Sequence, residues 1–532
     1  MKATPTPDSP AGHLLAARAW AQQAQARGSL QAWVNCGVHA WRALALGDVE
    51  LAGAAAELAT QGAAEVLARV LRHQPDGWTA GPMRVGDVAL QVEFRRISPS
   101  LQAPLRMRAA QDVSMDAFAG KRHARPGFGV PVAALSAARV ASSFARLVPR
   151  SGAFGNLTAW IEPGGEAGDA TPRLVFADPQ KLDALVIGTR RLPLARDTSA
   201  AYAWGMQLSK LERSGLWGLV GGEEIARRAG LYLLEDYDPD KRPLVMIHGL
   251  GSNPLIWSHV SNAVWGDEEL RTRFQIWQVV YRSDAPLLAA RLHVQDYLDD
   301  AWRLLDPDDH ARSRCDAVLV GHSLGGVISR LLCADSGDAL WKAAFVVPPE
   351  ALDADPDDLA TVRRIFMFHP CAGIARAVFL AAPHRGSPSA GTVLGRLTGD
   401  LAGRRTIEVH ALRRIALRNP HAIRPELLEV FEQGWVNSIT TLQSEQPMRR
   451  AAESLMPPAG FPFHTIAGVL PGRRAQSDGV VPLDSALLPG AASSLVVESG
   501  HRVHEHPRAV AEVVRILHEH LSAPSSAHAP GR

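Results

Sequence analysis

One segment of this 532-residue chain constrains its fold more than any other. Ala317-Val318-Leu319-Val320 is a short apolar run of strand type, and Gly326-Val327-Ile328-Ser329-Arg330-Leu331-Leu332 has an apolar helical pattern. Between them lie only Gly321-His322-Ser323-Leu324-Gly325. A strand that passes almost directly into a helix belongs in a sheet covered by helices, because the helix must lie back across the strand's face. The turn forces Ser323 into a strained backbone conformation, and the glycines on either side let strand and helix pass without Cβ clashes. The serine hydroxyl is then presented at a helix N-terminus, where the dipole favours developing negative charge.

The neighbouring sequence repeats this alternation. LYLLEDYDP, LVMIHGL, FQIWQVVY, DAVLVGHS, ARAVFLAAP, FHTIAG and SLVVES are short apolar or β-branched runs, with helical stretches between most of them. Residues 231–525 therefore read as an α/β domain: a mainly parallel sheet with helices on both faces. The connection from FLAAP to FHTIAG is too long for a simple crossover and contains helical material. Residues of about 387–462 are read as an inserted helical lid. Its apolar residues Ala411, Leu412, Ile415, Ala416, Leu427, Val430, Phe431 and Trp435 recur at helical spacing.

The first 230 residues have two other textures. Residues 1–80 are rich in Ala, Leu, Gln and Glu and read as two or three amphipathic helices broken at Gly28 and Gly47, a segment suited to capping or to docking a protein partner. Residues 81–230 read as a β-rich accessory region. MRVGDVALQVEFRR, TAWIEP and RLVFADP are its strands, DTSAAYAWGMQLSKLERSG its helix, and stretches such as GFGVPVAAL punctuate it with Gly and Pro.

A serine at such a turn needs donors for an oxyanion, a base and an orienting carboxylate. The N–H of Leu324, just after the serine, is one donor, and the loop His248-Gly249-Leu250-Gly251 after the strand Leu244–Ile247 offers Leu250 N–H as the second. His248 is read as orienting that loop. Asp478, in Ser477-Asp478-Gly479, is the preferred acid, with Asp484 and Glu498 as rivals. After the last strand come His501, His504 and His506; His501, nearest the strand end and preceded by Gly500, is the preferred base.

Lys and Arg number 56 against 54 Asp and Glu, so charge gives no reason to expect nucleic acid as a partner. The four cysteines form no C-x-x-C pair and mildly favour a reducing compartment. The N-terminus is a poor secretory signal and no apolar run is long enough to span a membrane, so a cytoplasmic location is expected, with signal-independent export left open. No metal or organic cofactor is called for.

LVMIHGL, VLVGHSLGGVISRLL, VFLAAPHRGSP, SDGVVP and SGH…HP occur in the order seen in bacterial lipase-like α/β hydrolases of the G-H-S-[LM]-G-G class, which this chain resembles over about residues 231–520. The resemblance implies the α/β-hydrolase fold, a triad of Ser323, Asp478 and His501, and oxyanion donors at Leu250 and Leu324. It implies a carboxylic ester hydrolase working through an acyl-enzyme on a small-molecule or lipid ester, with peripheral lipid contact in keeping. Two alternatives stand beside it: an acyltransferase on the same triad, and a binding protein that keeps the fold without the chemistry.

Overall fold

The computed structural model describes residues 8–137, 144–149, 152–165, 170–208, 228–283, 285–309, 311–386, 406–434, 447–472 and 476–523. The chain divides into two compact units, Met1–Ser209 and Lys210–Arg532.

The first unit begins with three helices, α1 Pro10–Arg27, α2 Leu30–Ala45 and α3 Ala52–His73. Gly28 ends α1 in the left-handed conformation at φ 65°, which costs glycine little. Six of the strands that follow are β1 Gly81–Val85, β2 Val88–Arg95, β3 Arg106–Ala109, β4 Val130–Ser136, β5 Ala153–Glu162 and β6 Arg173–Ala177. These six form one sheet in the order β1-β2-β6-β5-β4-β3, and helix α4, Ala200–Leu208, comes later in the unit. Helices and sheet share one core, in which Ala17, Trp33, Ala59 and Val66 meet Leu90, Trp160 and Phe176. The stretch GFGVPVAAL, read as punctuation, contains the strand β4, which pairs on both sides. Pro131 lies opposite Thr158 of β5 and one residue before the pairing with β3 begins at Val132, at the margin of the ladder, where a missing N–H costs least.

The second unit holds a seven-stranded sheet. Its strands are β7 Gly230–Leu233, β8 Arg242–Ile247, β9 Phe274–Val280, β10 Ala317–His322, β11 Ile374–Leu380, β12 Phe463–Val469 and β13 Ser493–Glu498. The order is β7-β9-β8-β10-β11-β12-β13. All neighbours are parallel except the edge strand β7, which runs antiparallel to β9. One face packs Leu244, Met246, Phe274 and Ile276 against Val260 of helix α5 (Ser258–Gly266) and against Val513 and Ile516 of the C-terminal helix Pro507–Ser522. On the other face Trp277 meets Trp302 of helix α6, Leu287–Leu305. This is the α/β architecture expected, with the nearly continuous apolar strands of a sheet buried on both sides. Among the described residues no helix is long and apolar enough to cross a membrane.

The helix after β10 is α7, Leu324–Leu332. Two further helices, α8 Ala339–Ala344 and α9 Pro356–Phe366, precede β11. In the long insertion the described helices are α10 Ile407–Arg418, α11 Pro425–Gln433 and α12 Pro447–Ser454. Trp435 and the insertion's residues 387–405 and 435–446 lie outside the described residues. The apolar stripes of α10 and α11 are largely buried, and the partners on hand are α8, α9 and α6. Phe431 meets Phe345, Arg414 pairs with Asp358, and Glu408 accepts from His293 Nε2 at 2.8 Å.

Where β11 and β12 begin, a buried polar network crosses the sheet. Arg376 Nη1 donates to His464 Nε2 at 2.6 Å and to Glu519 Oε1 at 2.7 Å, and His464 Nδ1–H donates to Ser493 Oγ at 2.8 Å. Burial first, then the Arg376 charge, pushes His464 down to about 4. Unfolded, the ring would take up a proton near its ordinary 6.5. The contribution of neutral His464 is thus complete above pH 6.5 and is lost as pH falls toward 4, at about 1.4 kcal/mol per pH unit. Urea unfolding should therefore find about 2 kcal/mol less stability at pH 4.5 than at pH 6.5 from this group, with a shallower slope in His464→Gln. Parallel slopes in the two proteins would remove His464 as the cause.

Candidate functional site

The site is assembled where β8 and β10 end. Ser323 follows β10 directly, at φ 55° and ψ −123°, a strained conformation for a residue with a Cβ. Its N–H donates to Leu380 O at 2.9 Å, so the end of β11 lies beside it. The glycines around it have specific jobs. A Cβ on Gly325 would stand 2.2 Å from Ile247 O, and one on Gly321 2.4 Å from Gly325 O. Neither backbone contact can yield, so these positions admit only glycine. Ser323 remains partly exposed at the N-terminus of α7.

His501 arrives from the loop after β13. Its Nδ1–H donates to Asp478 Oδ2 at 2.7 Å, which leaves Nε2 as the acceptor for the Ser323 hydroxyl at 2.9 Å. Asp478 is buried, and its other oxygen accepts the N–H groups of Val480 at 2.8 Å and Val481 at 2.7 Å. Gly468, at the end of β12, makes room for this meeting: a Cβ there would lie 2.8 Å from Ser499 O and 3.1 Å from Asp478 Cβ. The structure thus brings Ser323, His501 and Asp478 into one hydrogen-bonded chain.

The rivals stand elsewhere. Asp484 and Glu498 are exposed. His506 Nδ1 accepts from Arg508 N–H at 3.2 Å and caps the C-terminal helix. His504 is buried, packed edge-on against the His322 ring at 4.5 Å and near Trp257.

The loop after β8 runs across the serine. A Cβ on Gly249 would stand 2.9 Å from Ser323 Cβ. His248 holds this loop: Nδ1–H donates to Gly249 O at 2.9 Å, its ring stacks on Tyr281, and Tyr281 Oη–H donates to His248 O at 2.9 Å. Gly251 N–H donates to Ser283 Oγ at 3.1 Å. The N–H groups of Leu250 and Leu324 have no acceptor among the described residues. Burial keeps the neighbouring histidines neutral, with His248 down to about 4, His322 well below its ordinary value and His504 lowered. None of them adds a positive charge beside His501.

Two contributors are not legible in the sequence. Tyr281 gives no signal beyond its place at the end of an apolar run. His322 Nε2–H donates to His501 O at 2.8 Å across 179 positions of sequence, a contact no local pattern announces. Among the described residues no group of three or more His, Cys, Asp or Glu side chains is arranged to hold a metal ion.

Solved structures similar to this chain include a lipase of Bacillus licheniformis in its mature form, at 15% identity over 54% of this chain and 97% of that one, TM-score 0.32. A metagenomic carboxyl esterase is similar at 16% identity over 53% and 77%, TM-score 0.29. A monoacylglycerol lipase of Paleococcus ferrophilus is similar at 16% identity over 55% and 98%, TM-score 0.29. A search of curated proteins found no match. Residues 244–513, half of the chain, match the family described as the alpha/beta hydrolase family, and they contain every residue of the site above. The chain belongs to the alpha/beta hydrolase family.

Proposed function

We propose that the protein is a carboxylic ester hydrolase that works through an acyl-enzyme on Ser323. The observation that carries this reading is the chain of short hydrogen bonds from Asp478 through His501 to Ser323, at 2.7 and 2.9 Å, with the serine at a strained turn. In this reading His501 Nε2 takes the Ser323 proton as the hydroxyl oxygen attacks the ester carbonyl. The oxyanion is received by Leu250 N–H and Leu324 N–H. His501 then gives its proton to the departing alcohol, and water attacks the acyl-enzyme by the same route. Asp478 holds the tautomer and stabilises the imidazolium. Hydrolysis of p-nitrophenyl esters of increasing acyl length, with Ser323→Ala as control, tests the proposal; no activity on any ester would refute it.

The insertion is proposed to border the acyl pocket. It leaves from β11, whose last residue Leu380 accepts from Ser323 N–H. On its return, buried Arg330 of α7 donates through Nη1 to Glu453 O at 3.0 Å and Leu455 O at 2.7 Å. Replacing residues 387–462 by a short Gly-Ser linker should cost hydrolysis of long-chain esters about tenfold more than that of the acetate. Equal losses across the series would take the insertion out of the pocket.

A further inference from the structure

We infer that His322 is a positioning residue: by holding the backbone carbonyl of His501, it sets the reach of that imidazole to Ser323. The inference rests on the reading of Ser323, His501 and Asp478 given above and adds one side chain to it.

His501 lies in irregular chain between β13 and the short 3-10 turn Val503–Glu505. Before it, Ser499 N–H ties the backbone to Val469 O at 3.2 Å. After it, Glu505 N–H bonds Arg502 O and His506 N–H bonds Val503 O, so that turn is tied to itself. The bond from His322 Nε2 to His501 O, at 2.8 Å, is what joins the His501 peptide to the strand that carries Ser323. His322 immediately precedes the serine. The tether therefore links the two ends of the 2.9 Å Ser323–His501 contact through one rigid ring and one peptide. A positional error of about 1 Å in such a contact can cost about 100-fold in rate.

The choice of side chain supports this. His322 is 5% exposed, and its Nδ1 has no hydrogen-bond partner among the described residues. That nitrogen faces Gly249, where a Cβ would lie 3.2 Å away. An apolar ring of similar size would fill the space without burying an unmade polar group. What imidazole supplies and phenyl does not is the Nε2–H donor. Burial and the neighbouring His504 and His501 hold the ring neutral, so it carries a single N–H, and the bond to His501 O assigns that hydrogen to Nε2.

The test compares wild type, His322→Phe, His322→Gln and Ser323→Ala, using p-nitrophenyl butyrate hydrolysis, the rate of fluorophosphonate labelling and thermal melting. Phe keeps the volume and loses the donor; Gln restores an N–H at similar reach. In His322→Phe, kcat should fall about 30-fold with KM within about twofold, and labelling should slow in step. His322→Gln should recover kcat to within about threefold of wild type. If both variants melt earlier but keep wild-type kcat, or if Gln is as damaged as Phe, the positioning role is wrong. Should the Phe variant not fold, His322→Asn, whose amide is too short to reach His501 O, takes its place with the same expectation. Wild-type activity in Ser323→Ala would bring down the underlying reading of the site. An inactive Ser323→Ala beside a fully active His322→Phe would leave that reading in place and overturn the tether.

Discussion

Replacing Ser323 by alanine should lower kcat for p-nitrophenyl butyrate by about 10⁵-fold or more and abolish fluorophosphonate labelling. On the proposed mechanism the loss is that large because the acyl-enzyme forms on the Ser323 hydroxyl, which alanine lacks. The nearby donors, Leu250 N–H and Leu324 N–H, survive in the variant and can support only the small residual rate that charge stabilisation gives without a nucleophile. The fold should be almost unaffected. The strain at φ 55° comes from the presence of a Cβ, which alanine shares, and the Ser323 N–H keeps its bond to Leu380 O. Stability should change by no more than about 0.5 kcal/mol. Intact protein mass spectrometry after labelling gives the clearest result. One adduct on wild type and none on the variant is expected, whereas an adduct retained by Ser323→Ala would move the nucleophile to another residue.

Much of this site was legible in the sequence because its parts sit at the ends of strongly patterned strands. Ser323 follows an apolar run directly, Asp478 comes soon after FHTIAG, and His501 follows SLVVES. The runs before Ser323 and Asp478 are buried on both faces of the sheet, so length and composition mark them even without alternation, whereas SLVVES forms the edge strand and alternates, with Ser494, Val496 and Glu498 exposed. The chain's order then places the three loops at the same edge, since all three strands run parallel. Legibility failed where structure depends on neighbours distant in sequence. GFGVPVAAL reads as Gly and Pro punctuation, yet it holds a strand paired on both sides, with Pro131 just outside the pairing with β3. Helices α8 and α9 carry no strand signal in their connection, yet Phe345, next to α8, meets Phe431 of α11, and Asp358 of α9 pairs with Arg414 of α10. In the sequence the apolar stripes of α10 and α11 fit either packing onto the core or the lining of an acyl pocket under a lid. Much of their area is ordinary helix packing, and periodicity alone cannot tell the two apart.

Asp478→Asn should lower kcat by about 10⁴-fold while leaving KM and the fold nearly unchanged. The reason lies in what each oxygen of Asp478 already does. Oδ1 accepts two backbone N–H groups, Val480 at 2.8 Å and Val481 at 2.7 Å. In the asparagine variant only the amide oxygen can satisfy them, so the amide nitrogen is driven to the position of Oδ2. There it would point a hydrogen at His501 Nδ1, from 2.7 Å. Two donors cannot share that bond. The imidazole must shift its proton to Nε2 and accept at Nδ1, and Nε2 can then no longer receive the Ser323 proton. The geometry survives and the proton inventory is wrong. Asp484→Asn is the matched control, because that side chain is exposed, and it should stay within about twofold of wild type. Asp478→Ala separates charge from tautomer: it leaves Nδ1 without a partner but does not impose the wrong proton. Its kcat should exceed that of Asp478→Asn, provided the Val480 and Val481 N–H groups are solvated. If Asp478→Asn and Asp484→Asn lose activity equally and modestly, neither carboxylate orients His501, and the 2.7 Å contact has no part in the chemistry.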